Sequence, residues 1–343
     1  MDDTTSGIRG NVLLTGGAGY IGIHCCIALL QAGWNPVVFD NLSNGWNTAP
    51  DAVAQITGTR PDLVVGDIRD PAALDAVMGA RQFSAVLHLA GAKAVKASLA
   101  DPVTYYANNV AGTLTLLEAM EKHGLRKLVF SSSAAVYGQP QQVPVTEDAR
   151  LDPLNPYART KAMVETVLRD LQDARPEWAI AALRYFNPVG AHESALVGER
   201  SRVAVDNLMP WILKAADGAI PHVDILGSDY PTPDGTCIRD FVHVMDVAEG
   251  HVAALYLLEK EQGYHAINLG MGHGTSVLDM VRTFEGATGR TVPWRMAPRR
   301  VGDIAATWAD ITRAGRLLGW KPRRSLEVTC RDAWRWYERS RSA

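Results

Sequence analysis

A doubly wound α/β fold, a parallel sheet with helices on both faces, is predicted by three features of the sequence. An apolar strand pattern at Val12, Leu13 and Leu14 runs directly into Gly16, Gly17, Gly19 and Gly22, and an apolar helical run from Ile21 to Leu30 follows. Strand-like and helix-like segments then alternate through the first half of the chain, as a buried parallel sheet requires. The strand-like segments end in small or acidic residues, and ligands of such sheets bind beyond the strands' carboxyl ends.

The stretch from residue 11 to residue 40 organises the rest. Gly33 falls at a helix C-cap position. Residues 36–39 read as a second strand, closed by Asp40. One glycine permits the tight first turn, one lets backbone N–H groups approach a pyrophosphate, and one lets helix and strand pack closely. The helix N-terminus offers unpaired N–H groups and a partial positive charge to that phosphate. Asp40 stands where a carboxylate accepts from an adenosine ribose and repels a 2′-phosphate, which favours NAD over NADP. This is the Rossmann-like unit of a dinucleotide-binding sheet. A bare glycine pattern also describes a flexible loop; the preceding strand, following helix and timely acid put the dinucleotide reading ahead.

The segment from Asn41 to Gly45 is turn-rich and lies beside the adenosine. A third strand runs to Asp67 and Ile68, and Asp70-Pro71 opens a helix with a good N-cap followed by proline. A fourth strand at 85–91 ends in Leu89, Ala90 and Gly91, small enough for close cofactor approach. His88 in that strand reads as a core residue, because no partners stand at metal spacing; no metal is expected. A helical pattern covers 102–122, with Asn108 and Asn109 mid-helix, where asparagine is unfavourable. They are either surface residues or face a cofactor. Residues 128–130 form a fifth strand that leads into Ser131, Ser132 and Ser133. Tyr157 and Lys161 share one face of the next helix. Alone, that spacing describes a surface pair; beside a nucleotide turn and a serine run it describes a proton-transfer site. Residues 179–186 form a further strand, ended by Asn187-Pro188.

Beyond residue 188 the alternation weakens. Short strands are expected near 223–226, 236–242 and 266–269, and helices at 208–216, 246–259 and 276–288. The division is 1–188 for the NAD-binding domain and 189–343 for a smaller α/β substrate-binding part, with some chain crossing between them. Trp334 to Arg339 reads as a helix end with solvated charge, and residues 1–10 as a loose leader.

A chain of 343 residues buries a large core without staples. Net charge −3 argues against a general nucleic-acid or membrane-surface binder. Four cysteines without a C-x-x-C pair suit a reducing compartment. With no signal peptide and no membrane-length apolar run, a cytoplasmic location is expected by elimination.

With these residues placed, the chain resembles the UDP-hexose 4-epimerases of the extended short-chain dehydrogenase/reductase family. The matching stretches are Thr15 to Gly22, Gly66 to Arg69, Ser131 to Ala134, Tyr157-x-x-x-Lys161, Leu183 to His192, Arg239 to Asp246 and Ala297 to Asp303. The last three are more specific than the glycine turn. The resemblance implies tightly held NAD and reversible inversion at C4 of a UDP-hexose through a 4-keto sugar that swings about its link to UDP. It implies Tyr157, Lys161 and Ser133 as catalytic residues. A tyrosine pKa near 10 must then fall to near 7, a differential stabilisation of about 4 kcal/mol, to which Lys161 and the nicotinamide ring contribute. Tyr20, Ile21, Asp40, Asn44, Asp67, Ile68, Gly91, Lys93, Asn108 and Phe186 are implied on the cofactor side, with Gly16, Gly19, Gly22, Asn41, Leu89 and Ala90 framing it. Asn187, Asn207 and Leu208 are implied on the nucleotide side and Asp303 at the uridine ribose. Arg239 and Arg300 are expected to anchor the diphosphate as bidentate donors; standing alone they would read as surface salt bridges. A homodimer through helices 102–122 and 157–173 is implied as well.

Three departures from the pattern stand out. Lys96-Ala97 replaces a Gly-Glu pair near the cofactor loop. Leu226 stands where an aromatic packs on uracil. Thr307 stands where relatives carry a tyrosine or a small residue gating the sugar pocket; it leaves room, so UDP-N-acetylglucosamine is expected as a second substrate. The nearest rival reading is a sibling acting on UDP-glucuronate or UDP-pentoses. A 4,6-dehydratase needs acids where this chain has Ser132-Ser133-Ala134. A non-catalytic NAD sensor has no need of the serine, tyrosine, lysine and paired arginines together.

Overall fold

The computed structural model describes residues 9–200, 207–300 and 302–342. The leader expected over residues 1–10 therefore lies outside the described residues except for its last two positions. Among the described residues thirteen strands follow one another: β1 (Asn11–Thr15), β2 (Asn35–Asp40), β3 (Asp62–Val65), β4 (Ala85–His88), β5 (Lys127–Ser133), β6 (Ala179–Tyr185), β7 (Asn187–Val189), β8 (Val223–Leu226), β9 (Ile238–Arg239), β10 (Phe241–His243), β11 (Gly263–Leu269), β12 (Thr275–Ser276) and β13 (Trp294–Ala297). The helices are α1 (Tyr20–Gln31), α2 (Ala49–Thr57), α3 (Pro71–Gly79), α4 (Val95–Ala100), α5 (Pro102–Tyr106), α6 (Gly112–Lys122), α7 (Pro156–Ala174), α8 (Leu208–Ala216), α9 (Val244–Leu258), α10 (Val277–Thr288), α11 (Thr312–Leu318) and α12 (Leu326–Ser342).

Seven strands form one sheet in the order β11-β6-β5-β4-β1-β2-β3, every pairing parallel. The order reverses direction at β1, between β2 and β4, which opens a crevice at the strands' carboxyl ends. One face of the sheet packs against apolar residues of α1, α2 and α9, including Ile27, Leu29, Val53 and Leu255. The other packs against α3, α6 and α7 through Leu74, Leu116, Val164 and Leu168. Central strands such as β6 are buried at every position, so they read as continuous apolar runs rather than alternating ones.

The helix starts follow from their caps. Asp70 accepts from Ala72 N at 2.9 Å, and Asn155 accepts from Ala158 N at 2.9 Å, each followed by proline. Such a cap contributes about 1 kcal/mol. The Asn155 cap fixes where α7 begins and so where Tyr157 and Lys161 stand.

One expectation needs correction. The strand near 266–269 is not a short element of the smaller part. As β11 it pairs along β6 from Gly263↔Ala179 to Leu269↔Tyr185 and completes the main sheet. A local apolar pattern does not say which sheet a strand joins. The stretch from Trp334 to Arg339 lies in the C-terminal half of α12 with Arg335, Glu338 and Arg339 exposed, while Trp334 itself is 6% exposed and packs edge-on to Phe284 at 5.9 Å. The smaller part has its own core, where α8, α10 and α12 enclose Ile212, Phe284 and Cys330.

Candidate active site

The dinucleotide cradle is built from β1, the glycine turn, β2 and β4. Gly16 has φ +72°, and a Cβ there would lie 2.5 Å from Ala90 N, so the turn touches the end of β4 directly. A Cβ on Gly22 would lie 2.3 Å from Gly16 O; only glycine lets α1 start this close to β1. Gly19 is the N-cap of α1, and neither a side-chain cap nor an acidic residue serves the first turn. Its N–H groups and dipole therefore suit an anion. Asp40 is 7% exposed at the end of β2, where it accepts from Ala18 N at 3.0 Å and Leu42 N at 2.8 Å. Burial pushes its pKa up, against those two bonds. A carboxylate so held keeps acceptor capacity for ribose hydroxyls. The donor set fits a dinucleotide without a 2′-phosphate.

Further residues implied on the cofactor side ring this cradle. Asn41 donates to Asp67 at 2.9 Å, and Arg69 grips Asp67 through both Nε and Nη2. The Arg69 contact holds the Asp67 carboxyl well below the usual carboxylate range. Ile68 is buried beside Gly112. Ile21 packs against the α1 core. Tyr20 OH donates to Gly190 O at 2.8 Å, and Lys93 Nζ stands 5.5 Å from the Tyr20 ring centroid. Phe186 is buried where β6 gives way to β7, its N–H bonded to Leu269 O. Asn44 sits in the half-buried loop after β2.

The mid-helix asparagines resolve into two roles. Between α5 and α6 the helix opens into one π turn, Ala107–Ala111. That bulge turns Asn109 inward, where it accepts from Ala92 N at 2.8 Å and donates to Ala92 O at 3.0 Å and Thr160 Oγ1 at 3.0 Å. Asn108, half-buried, donates to Asn109 Oδ1. The pair thus clamps the Gly91–Lys93 loop to α7. The unfavourable Asn-Asn in a helical run was the sequence signal of this clamp; its geometry was not legible.

Tyr157, Lys161 and Ser133 meet at the carboxyl edge of β5. Ser133 beside the Tyr157 side chain acts to lower that phenol's pKa, while burial, the larger effect, raises it. Lys161 is 5% exposed, donates to Ser131 O at 2.7 Å and lies 4.8 Å above Phe130. Burial depresses its pKa to about 8, opposed by Glu165. Its Nζ would be 3.5 Å from a Cβ on Gly91, which ties it to the cradle. In the protein alone the net direction for the Tyr157 phenol is upward, burial outweighing the groups that lower it.

Sequence reasoning missed what lies beneath. Glu165, one turn beyond Lys161, is fully buried against Arg184, with Arg184 Nε at 2.9 Å and further bonds from Ser132 Oγ and Tyr264 OH. Arg184 in turn donates to Tyr137 OH at 3.0 Å and Glu147 O at 2.9 Å. A lone arginine in the apolar run of β6 was the available sign.

On the substrate side, Arg239 on β9 donates to Asp303 Oδ1 at 2.9 Å, and Arg300 reaches the same oxygen at 3.1 Å. Thr307, half-buried, is tied to that strand by its N–H to Ile238 O at 3.1 Å. Asn187 N donates to Asp240 O at 3.0 Å, which joins β7 to β10. Asn207 caps α8 ahead of Leu208, and Leu226 ends β8 beside Ala297. Among the described residues no group of three or more His, Cys, Asp or Glu is placed to hold a metal.

Residues 12–270 match the NAD dependent epimerase/dehydratase family. The UDP-glucose 4-epimerase of Bacillus subtilis (strain 168) is 50% identical over 95% of this chain and 96% of its own length. The UDP-glucose-4-epimerase of Stenotrophomonas maltophila, crystallised with bound NAD and formylated UDP-arabinopyranose, superposes with a TM-score of 0.96 at 47% identity, covering 98% of this chain and 100% of that one. The enzyme of Bifidobacterium longum in complex with NAD+ and UDP gives a TM-score of 0.93 at 43% identity, over 96% of this chain and 99% of that one. With near-equal lengths, about half the residues in common and one fold throughout, the chain belongs to the NAD dependent epimerase/dehydratase family and stands among its UDP-glucose 4-epimerases.

Proposed function

We propose that the chain is an NAD-dependent UDP-glucose/UDP-galactose 4-epimerase, which inverts the sugar at C4 through a 4-keto intermediate. The observation that carries this is that Ser133, at the end of β5, and Tyr157 and Lys161, on the first turns of α7, come together at the sheet's carboxyl edge, with Lys161 Nζ held between Ser131 O and the Gly91 loop of the cradle. Bound NAD supplies the hydride acceptor and donor. Gly16, Gly19 and the free N–H groups of α1 would hold its pyrophosphate, and Asp40 its adenosine ribose.

Tyr157 takes the proton from the sugar 4-hydroxyl and returns it to the same oxygen once the keto sugar has turned its other face to the hydride donor. Its surroundings favour the neutral phenol, so a positive charge is needed to release the phenolate. The Lys161 ammonium contributes part of that charge and the bound cofactor ring the rest. Ser133 holds the sugar oxygen in line with the phenol. Arg239 and Arg300 grip the diphosphate, so the hexose can turn while its tail stays fixed. The short Thr307 side chain leaves space beside the sugar for a 2-acetamido group, which supports UDP-N-acetylglucosamine as a second substrate.

A homodimer is supported by the apolar surface of α4 to α7, where Leu99 is 63%, Val103 75% and Met163 47% exposed. A cytoplasmic location is supported by four buried free thiols. Among the described residues no helix is long and apolar enough to cross a membrane.

Incubating the purified protein with UDP-galactose and following UDP-glucose by chromatography tests the reading. Turnover is expected. Activity on UDP-pentoses or UDP-glucuronate alone would shift the reading to a sibling enzyme, and no turnover of any UDP-sugar would end it.

A further inference from the structure

The segment from Gly190 to Arg200 touches the dinucleotide cradle at three separate places. Gly190 O accepts from Tyr20 OH at the start of α1, at 2.8 Å. Glu199 Oε1 lies 3.5 Å from Lys93 Nζ, in the loop after β4. The Arg200 guanidinium lies 3.6 Å over the ring of Trp46, in the loop after β2. Trp46 N in turn bonds Ala18 O within the glycine turn.

The segment is stiff. Ala191 and Gly198 form an antiparallel bridge, and His192 N bonds Val197 O at 3.0 Å inside it. Gly198 is pressed against α12: a Cβ there would lie 2.4 Å from the Trp336 ring. The C-terminal helix therefore backs a short hairpin that delivers two consecutive charged side chains onto two loops of the cradle. The Glu199 side chain is 7% exposed and that of Lys93 40%, so the carboxylate end of the pair is enclosed while the ammonium end faces water.

The same Glu199 oxygen also accepts from Asn207 Nδ2 at 2.8 Å. One carboxylate oxygen thus joins a cation of the cofactor loop to an amide at the head of α8, the residue implied on the nucleotide side. We propose that Glu199 and Arg200 form a clasp over the dinucleotide, and that Glu199 is a positioning residue through which a bound nucleoside diphosphate at Asn207 slows release of the dinucleotide. Arg200 acts on the cofactor side only. This inference rests on the epimerase reading for the identity of the two ligands.

The holoenzyme carries the test. Release of NAD is timed by adding an NAD-consuming enzyme, with and without UDP, for the wild type and for E199A, E199Q and R200A. UDP is expected to slow release from the wild type. E199A loses both contacts, so release is roughly fivefold faster and UDP no longer slows it. In E199Q the amide oxygen still accepts from Asn207 while the charge on Lys93 is unpaired, so release quickens and part of the UDP effect survives. R200A releases faster and keeps the full UDP effect. Should E199A fold poorly, E199Q and R200A separate the same two roles. Wild-type release rates in E199A, E199Q and R200A, or an undiminished UDP effect in E199A and E199Q, would overturn the clasp while leaving the epimerase reading intact. A wild-type protein that neither carries nor takes up NAD would remove both.

Discussion

Arg239 donates to Asp303 Oδ1 at 2.9 Å across 64 residues of chain, and Arg300 shares that oxygen. Asp303 thereby holds two guanidinium groups near each other that would otherwise repel. Arg239 is the more enclosed, at 14% side-chain exposure against 53% for Arg300. Charged hydrogen bonds are worth about 1.5–3 kcal/mol each. R239A is therefore expected to raise KM for UDP-galactose about 10- to 100-fold, and R300A less, because water screens it more. Steady-state kinetics on both variants check this order.

The size of the side chain at position 307 sets the second expectation. The Thr307 backbone is fixed to β9 through Ile238, so a larger side chain at 307 has no freedom to move the strand aside. T307Y is expected to keep epimerisation of UDP-glucose and to cut that of UDP-N-acetylglucosamine by roughly 100-fold. Equal losses on both sugars would place the gate elsewhere.

The Glu165–Arg184 pair sets a third. Both side chains are almost fully buried, at 0% and 2% exposure. Removing one partner leaves an uncompensated charge in the interior, at a cost of about 3–5 kcal/mol. R184M is expected to lose that much in urea unfolding. The double variant E165M/R184M recovers a large part of it, since no charge is then stranded.

Buried histidines make stability depend on pH. Burial lowers the pKa of His24 and His88 to about 3 and that of His251 to about 4. The unfolded chain takes up these protons first as pH falls from 6.5, so the stability they confer is present above 6.5 and lost on the way down. Asp240 works the other way. Burial raises its pKa to about 6, so between roughly pH 6 and 4 the folded state gains a proton ahead of the unfolded chain. Among these four groups, three against one leave a net loss of at most about 3 kcal/mol per pH unit; Asp40 and Glu147, raised by burial, oppose it, and His192 and Asp67, lowered, add to it. Urea midpoints at pH 7.5, 6 and 5 are expected to fall in that order.

Much of this site was legible because short-range rules govern it. The turn from Gly16 to Gly22 needs glycine for reasons fixed within one strand and one helix, and Tyr157 and Lys161 share a face by helical spacing alone. What stayed hidden depends on distant partners. Glu165 and Arg184 lie on a helix and a strand whose contact only the packed sheet creates. The Asn-Asn pair marked the place, but the π turn that carries Asn109 inward onto Ala92 and Thr160 depends on those distant partners. β11 looks like any short apolar strand until β6 stands beside it. Glu199 is an ordinary surface glutamate in sequence, and the hairpin behind it makes it otherwise.

The central claim is that the Tyr157 phenol moves the sugar's proton beside a bound dinucleotide. The most direct measurement compares Y157F with the wild type, for NAD content and for UDP-galactose turnover. Loss of the phenolic oxygen should leave NAD bound and cut turnover by a factor of about 100 to 10,000. Wild-type turnover by a Y157F protein of normal NAD content would contradict the account.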